Sequence, residues 1–493
     1  MNLETAFAMS ARMHGSKTAL FSGEKQYSYQ HFSDQAAWVG RALRKDFGVQ
    51  RGDRVGIWLR NCPEFISALF GTLQIGAVAT PINNFLKPLE VGYILADAGI
   101  DVLITETGMG EMLERLREAR PGLRFLKVED FAPGIPPGEN GFAPVPSTEK
   151  DLAVIIYTSG TTGHPKGAVL THGNLLHNVA SCQHVLETVE FDRFALLLPM
   201  FHSFMLTVCV LLPLLSGGSI VLIKSLHSPK TILQEIIHHQ ATLLPAIPQL
   251  FRALAHIPVP PALPIRLCVS GAAPLPLETL RAFSERYPMP LIEGYGLSEA
   301  SPCVSMNPIR GVRKAGSIGL PVKDVSVSIR NETGEEMAQG ETGEVCVRGG
   351  NVMIGYWNKP EETAAALRDG WLYTGDIGHM DQDGFFYITD RKKDMLLVNG
   401  INVYPREIEE LIYQFPGVKE AAVIGRPDPR RGEQPVAYVS MDEGVVLDEH
   451  ALIHFLRPKL ADYKVPKRIV LIPSLPRNAS GKVLKTTLRG MTS

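Results

Sequence analysis

The segment that decides the fold runs from Tyr157 to Gly167 and reads Tyr-Thr-Ser-Gly-Thr-Thr-Gly-His-Pro-Lys-Gly. It follows an apolar, β-branched run at residues 152–156 that predicts a buried strand, and a helix is predicted from about Asn174. A strand, a glycine-rich loop and a helix together turn backbone N–H groups toward an anion. The candidate phosphate-binding residues are Thr158, Ser159, Gly160, Thr161, Thr162 and Lys166.

This segment is not a Walker A loop, in which Ser or Thr directly follows Gly-Lys. Here Pro165 precedes Lys166 and Gly167 follows it. A plain surface turn is the alternative interpretation, because Gly, Ser and Thr favour turns. Eleven specified residues directly after a buried strand favour the phosphate loop.

The segment resembles the phosphate loop of the adenylate-forming superfamily: acyl-CoA synthetases, carrier-loading adenylation domains and beetle luciferases. Further motifs follow in that family's order and extend the resemblance over roughly residues 20–490. The resemblance implies an α/β fold, with a large adenylation domain of several subdomains (residues 1–391) and a small, mobile α+β domain (residues 392–493). Alternating predicted helices and strands in residues 1–125 independently favour an α/β architecture.

Length and composition narrow the function classes. A chain of 493 residues exceeds one ordinary core, so two or more domains are expected. Its 49 basic and 51 acidic side chains nearly cancel, which gives no electrostatic case for nucleic acid. Six scattered cysteines without a Cys-x-x-Cys pair predict buried thiols instead of a zinc site or a disulfide framework.

No transmembrane segment or signal peptide is predicted. The longest apolar run, residues 204–223, is interrupted by Pro213, Gly217, Gly218 and Ser219, so we expect a buried helix, a turn and a strand. The N-terminus contains Glu4 and has no apolar core of a signal peptide. We therefore expect a cytoplasmic protein.

A histidine follows a predicted strand at residues 195–199. Taken alone, His202 beside Phe201 and Phe204 indicates a structural histidine. The resemblance implies that His202 lines the acyl pocket and gates the thiol tunnel. Relatives that activate α-amino acids carry Asp beside this gate, and Ser203 in that place favours a carboxylic acid without an α-amino group.

Three later motifs resemble the family's nucleotide site. Small residues after a predicted strand at 265–269 let a flat ring lie against the backbone, and the resemblance places adenine there. Tyr295 between two glycines can stack on a base, and Ser298, where the family usually has Thr, offers a hydroxyl to a phosphate. Asp376 and Arg391 correspond to ribose contacts. The nucleotide-binding residues expected outside the loop are Gly271, Ala272, Ala273, Gly294, Tyr295, Gly296, Ser298, Asp376, Arg391 and Asn402.

The resemblance also implies the catalytic groups. Glu299 would be the Mg²⁺ ligand, which suits a site where most ligands are substrate phosphates. Lys482, in a small-residue loop near the C-terminus, would stabilise the carboxylate and α-phosphate during adenylation. Lys393 would be the hinge pivot, and Asn399 and Gly400 would line the CoA side after the small domain turns.

The implied activity is an ATP-dependent ligase that uses Mg²⁺, activates a medium- or long-chain fatty acid as its adenylate, and then forms the CoA thioester. Aryl acids stay open as substrates. A ligase that loads an acyl carrier protein is the alternative, disfavoured because no extra segment is evident between Gly343 and Arg391. A nucleotide-binding pseudoenzyme and a luciferase-like oxygenase are further alternatives. A homodimer is compatible with the sequence, which does not determine the oligomeric state.

Overall fold

A computed structural model describes residues 1–131, 143–158, 165–224, 228–478 and 481–491. The predicted loop residues Ser159, Gly160, Thr161 and Thr162 lie outside these ranges. The described residues form two large sheets, of nine and seven strands, and two sheets of five strands. The α/β fold class is confirmed.

The first part of the chain alternates helices and strands, as predicted. Its elements are α1 (Leu3–His14), β1 (Thr18–Ser22), β2 (Lys25–Ser28), α2 (Tyr29–Lys45), β3 (Arg54–Trp58), α3 (Glu64–Gln74), β4 (Val78–Pro81), α4 (Pro88–Asp97), β5 (Val102–Thr105), α5 (Glu111–Ala119) and β6 (Arg124–Lys127). Helix α3 is buried along nearly its whole length, because it packs between α2 and the seven-stranded sheet.

The second part holds most of the predicted motifs. Its elements are β7 (Leu152–Thr158), β8 (Lys166–Thr171), α6 (His172–Val185), β9 (Arg193–Leu196), α7 (Ser203–Met205), α8 (Leu212–Ser216), β10 (Ser219–Leu222), α9 (Pro229–His238), β11 (Leu243–Ala246), α10 (Pro248–Ala255), β12 (Leu267–Ser270), α11 (Leu277–Arg286), β13 (Leu291–Gly296), β14 (Cys303–Met306) and β15 (Leu320–Pro321). A wide helical segment, Leu206–Leu211, joins α7 to α8.

The remaining elements form the two small sheets and their helices. They are β16 (Val325–Arg330), β17 (Gly343–Gly349), β18 (Gly355–Tyr356), α12 (Pro360–Ala366), β19 (Leu367–Arg368), β20 (Trp371–Met380), β21 (Phe386–Arg391), β22 (Leu396–Val398), β23 (Ile401–Val403), α13 (Pro405–Tyr413), β24 (Val418–Asp428), β25 (Gly432–Met441), α14 (Glu449–Leu456), β26 (Arg468–Leu471) and α15 (Lys485–Gly490).

The nine-stranded sheet has the order β15-β14-β13-β12-β11-β9-β10-β1-β2, and the seven-stranded sheet the order β18-β8-β7-β4-β3-β5-β6. The third sheet is antiparallel, β16-β17-β20-β19 with β21 on β20. The last sheet is β23-β22-β25-β24, with β26 parallel to β25. The predicted domain boundary, between residues 391 and 392, falls in the turn that joins β21 to the last sheet.

The predicted strand and the helix near Asn174 are present at the phosphate loop, but the predicted order missed a strand between the loop and the helix. Strand β8 follows the loop directly and pairs antiparallel with β7, so that Thr158 lies opposite Lys166. Helix α6 begins only after this strand, at His172, where Thr171 caps it. The reason is that Ala168, Val169 and Leu170 continue the apolar pattern and are buried beside β7. The loop is therefore the connection of a β-hairpin.

The apolar run at residues 204–223 forms a buried helix, a turn at Gly217 and a strand, as predicted. Among the described ranges, no helix is both long and apolar enough to span a bilayer. All six cysteines are free thiols, and only Cys62 is not fully buried.

One glycine fixes the contact between the nine-stranded sheet and the third sheet. Gly319 has φ +85°, and a Cβ on it would lie 2.0 Å from the backbone carbon of Met306. Its carbonyl accepts the Phe386 N–H at 3.1 Å, at the start of β21. No side chain fits there without moving the backbone.

We expect Gly319→Ala to destabilise the protein by roughly 2 kcal/mol or more, because a strained φ is combined with a backbone clash. The matched control is Gly340→Ala, with φ +84° and nothing within 4 Å of its Cβ position. This control should cost only about 1 kcal/mol, since backbone strain is its sole penalty. Thermal unfolding of both variants checks this. Equal shifts in Tm would contradict the packing argument.

Candidate active site

A buried carboxylate lies where the nine-stranded sheet meets the third sheet. Asp376 in β20 is only 6% exposed. Its Oδ2 accepts the Tyr295 hydroxyl of β13 at 2.5 Å, and Arg391 Nε of β21 lies 3.3 Å from Oδ1. Three residues predicted for the nucleotide are thus brought together, although Tyr295 and Asp376 lie 81 residues apart in the sequence.

Tyr295 acts here mainly through its hydroxyl. Burial and the neighbouring Asp376 raise the pKa of this phenol well above its ordinary value. It therefore stays protonated and donates to the carboxylate. The Tyr295 ring, which the sequence predicts to stack on a base, is thereby hydrogen-bonded to Asp376, the residue predicted to contact the ribose.

Lys482 reaches the same place from the C-terminal part of the chain. Burial and the positive charges of Arg391 and Lys393 lower its pKa to about 7, although Asp376 and Asp394 oppose this shift. An amine held among these groups is ready to gain a proton when an anion arrives. The structure thus places the predicted catalytic lysine beside the predicted ribose residues.

His202 borders this cluster. Burial and the charge of Lys482 lower the pKa of His202 to about 4, so its imidazole is neutral at pH 7. Its Nδ1 accepts the Phe204 N–H at 3.3 Å and caps the short helix α7. This neutral ring is suited to forming a wall and unsuited to taking up a proton near neutral pH.

Two hydroxyls connect the predicted acyl side to the predicted phosphate side. Ser203 Oγ lies 3.0 Å from Ser298 Oγ, and Ser203 is buried. Next to it, the Phe204 ring lies against Gly271, where an added Cβ would be 3.0 Å from the ring. The absence of a side chain at Gly271 therefore lets the Phe204 ring approach the backbone after β12.

The segment around Gly271 and β13 also brings predicted residues close. Ala272 adopts φ +66°, which turns the chain out of β12 toward Ala273. Gly294 and Gly296 flank Tyr295, and a Cβ on Gly296 would lie 2.2 Å from the Pro302 carbonyl oxygen. The glycines of this motif thus serve close packing of β13 against β14.

Glu299 shares a tyrosine with Lys166. The Tyr356 hydroxyl donates to Glu299 Oε1 at 2.8 Å, and Lys166 Nζ lies 5.3 Å from the centre of the Tyr356 ring. Burial and Glu299 raise the pKa of Tyr356. Sequence reasoning missed Tyr356, which belongs to the short strand β18 beside the hairpin strand β8. The only sequence feature that could have indicated Tyr356 is the pair of aromatic residues, Tyr356 and Trp357, that follows Gly355.

The donor set at Glu299 fits a weakly ligated hard cation. Within the described ranges, no group of three or more His, Cys, Asp or Glu side chains could hold a metal ion. A lone carboxylate suits Mg²⁺ that keeps water and phosphate oxygens as its other ligands.

The predicted CoA-side residues lie elsewhere. Asn399 and Gly400, with φ +54° and +76°, form the two-residue turn between β22 and β23. Both are exposed, as are Asn402 on β23 and Lys393 in the turn after β21. The hairpin tip is exposed, whereas Lys482 lies close enough to Asp376 for the two charges to interact.

Comparisons with known proteins agree with this arrangement. The chain matches the AMP-binding enzyme family over residues 7–357 and the AMP-binding enzyme C-terminal domain over residues 407–482. A long-chain-fatty-acid–CoA ligase from Bacillus subtilis is 36% identical over 526 residues, covering 99% of this chain and 94% of the relative. A feruloyl-CoA synthase from Amycolatopsis is 36% identical over 487 residues, covering 97% and 96%.

Among solved structures, ATP-bound MatB from Rhodopseudomonas palustris superposes with a TM-score of 0.90 at 32% identity, covering 99% of both chains. The apo structure of MatB gives a TM-score of 0.78 at the same coverage. The present arrangement is thus closer to the ATP-bound form. The matches span both parts of the chain and include Glu299 and Lys482, so this protein belongs to the family of AMP-binding enzymes, the adenylate-forming superfamily.

Proposed function

We propose that the protein is an AMP-forming fatty acyl-CoA ligase. It would join a medium- or long-chain carboxylic acid to ATP, release pyrophosphate, and pass the acyl group to CoA with release of AMP. The observation that carries this proposal is the cluster of Lys482, Arg391 and Asp376 beside an uncharged, buried acyl side.

The acyl side supports an apolar acid. Ser203 replaces the carboxylate that would pair with an α-amino group, and its hydroxyl is already engaged by Ser298. Residues 204–212 are buried and contain no Asp, Glu, Lys, Arg or His. A substrate with a second anionic group would need a cation there. The names of the relatives, which include fatty-acid and feruloyl ligases, support CoA as acceptor.

In the first half-reaction, the substrate carboxylate attacks the α-phosphorus of ATP and pyrophosphate leaves. Such transfers need alignment and charge neutralisation more than proton transfer. Asp376 would accept from the ribose hydroxyls, and Lys166 would meet the phosphates. Lys482 would be protonated as the phosphates arrive, because an adjacent anion raises the pKa of an amine.

Glu299 would hold Mg²⁺, with Tyr356 orienting its carboxylate through the 2.8 Å hydrogen bond. The metal ion would supply additional positive charge at the phosphates.

In the second half-reaction, the CoA thiol attacks the acyl carbonyl and AMP leaves. Lys482 and the thiol would need the same side of the acyl-adenylate, so we infer a rotation of residues 392–493 about Lys393. The exposed turn at Asn399 and Gly400 would then enter the site, past the neutral ring of His202. Domain motions of this kind often limit turnover.

The direct test is incubation of the purified protein with ATP, Mg²⁺ and a series of acids from acetate to stearate, with benzoate and ferulate, with and without CoA. We expect AMP and acyl-CoA, measured by mass spectrometry, for a range of medium or long chains. If only the aromatic acids gave products, the substrate would be an aryl acid and the fatty-acid assignment would be wrong. Acyl-adenylate that accumulates and ignores CoA would point to a carrier protein as acceptor.

The two half-reactions should separate by mutation. We expect Lys482→Ala to slow pyrophosphate release about 100-fold or more, because it removes a charge that stabilises the transition state. The same variant should form acyl-CoA normally from supplied acyl-adenylate. As the mirror variant, Lys393→Pro should spare adenylation and slow thioester formation. Equal losses in both halves for either variant would rule out this division of labour.

The reactivity of Lys482 can be measured without substrate. Because its pKa is about 7, its amine is largely neutral at pH 8 and should acylate with a limiting amount of an activated ester much faster than ordinary lysines. Lys485 is the matched control. Burial alone would lower the pKa of Lys485, but Glu409, whose Oε1 lies 2.8 Å away, raises it. Peptide mapping that finds both lysines equally modified would contradict the predicted environment.

A further inference from the structure

The guanidinium of Arg477 joins three separate pieces of the structure. Its Nε and Nη2 donate to Glu420 Oε1 of β24, at 3.1 and 2.6 Å. Its Nη1 donates to the carbonyl oxygen of Gly481, the residue before Lys482. The side-chain oxygen of Gln249, as oriented by its surroundings, accepts from Nη1 at 2.7 Å and from Nη2 at 3.0 Å. Arg477 and Glu420 are both largely buried.

These contacts fix the backbone that carries Lys482. Asn478 Oδ1 accepts the Lys482 N–H at 2.9 Å, and the Asn478 N–H donates to the Lys482 carbonyl at 2.9 Å. Gly481 lies against Ile247, where an added Cβ would be 2.8 Å from the Ile247 side chain. Asn478 is thus bonded to Lys482, and Gly481 lies against the beginning of α10.

Helix α10 makes a second contact with the C-terminal part, one turn further on. Arg252 Nη2 donates to Asp442 Oδ1 at 2.8 Å and to Oδ2 at 3.0 Å. The same nitrogen donates to the Val418 carbonyl at 3.3 Å, at the start of the strand that contains Glu420. Through Gln249 and Arg252, α10 therefore contacts both the lysine loop and the strand that supports it.

Arg477 makes hydrogen bonds within the C-terminal part and one set to the N-terminal part. Only the first set would persist if the C-terminal part rotated. Glu420 and Gly481 belong to the same C-terminal unit as Arg477, so their hydrogen bonds survive any rigid rotation of that unit. Gln249 belongs to the N-terminal part, so its bond to Arg477 exists only while the unit is docked as in this structure. Hydrogen bonds to a charged group in a partly buried place are among the stronger ones.

We propose that Arg477 is a positioning residue for adenylation: docked on Gln249 of α10, it presents Lys482 to the nucleotide site. This inference rests on the proposed function, because it concerns only the first of the two half-reactions. It predicts energetic coupling between Arg477 and Gln249 during adenylation and none during thioester formation.

The test is a double-mutant cycle with Arg477→Ala and Gln249→Ala. Each variant should lower kcat for pyrophosphate release about tenfold, with little change in KM for ATP. The double variant should be about as slow as Arg477→Ala alone, since the two side chains act as one contact. In thioester formation from supplied acyl-adenylate, all three variants should stay within about twofold of the wild type, which also shows that they are folded.

Conservative variants of Gln249 and matched control variants make the test more specific. Gln249→Glu keeps an acceptor for Arg477 and should retain adenylation, whereas Gln249→Arg places like charges together and should lower it further than Gln249→Ala. Arg468→Ala and Gln382→Ala change exposed residues of the same types and should leave both half-reactions unaltered.

Independent, additive losses in adenylation would overturn the inference, as would equal losses in both half-reactions. If the wild type forms acyl-adenylate but the double-mutant cycle shows no coupling between Arg477 and Gln249, only this inference is overturned. A wild type that forms no adenylate from any acid would overturn the proposed function along with it.

Discussion

The site depends on one constraint: the carboxylate of Asp376 is buried and must be matched by donors. Removing a carboxylate from water costs several kcal/mol unless hydrogen bonds and an opposite charge compensate. Tyr295 and Arg391 provide both, and they come from two different sheets. Satisfying this one group therefore fixes the nine-stranded sheet and the third sheet against each other.

The charges around Asp376 also decide the protonation state of Lys482. Its amine is surrounded by two cations and two carboxylates, and burial tips this near balance toward the neutral form. Lys485, three residues later, shows the contrast, because Glu409 together with Asp390 and Asp394 holds it charged. Lys485 thus keeps its charge beside these carboxylates, whereas Lys482 can gain its proton when an anion enters. A site in which burial and two cations outweigh the carboxylates is suited to binding phosphates.

Docking of the lysine loop uses a separate set of contacts from the site itself. Helix α10 meets Arg477 through Gln249 and Asp442 through Arg252, while Gly481 packs on Ile247. When this interface opens, water can replace its hydrogen bonds, so these contacts can hold an orientation and still be released. A buried apolar interface would hold the C-terminal part more permanently. The polarity of this edge is accordingly compatible with the rotation that we propose.

The sequence by itself determined the fold class, the motifs that carry the family resemblance, and the positions of some elements, such as strand β7 and the helix and strand within residues 204–223. It could do so because apolar periodicity and turn residues are local properties of the chain. It failed at the phosphate loop, where a buried strand at Lys166–Thr171 precedes the helix, because a short apolar run fits a strand and a helix start equally well. Only the tertiary structure decided that Tyr356 reaches Glu299, that Ser203 meets Ser298, and that Arg477 joins Gln249. These pairs lie 57, 95 and more than 200 residues apart, and such contacts depend on the path of the whole backbone, which no local pattern encodes.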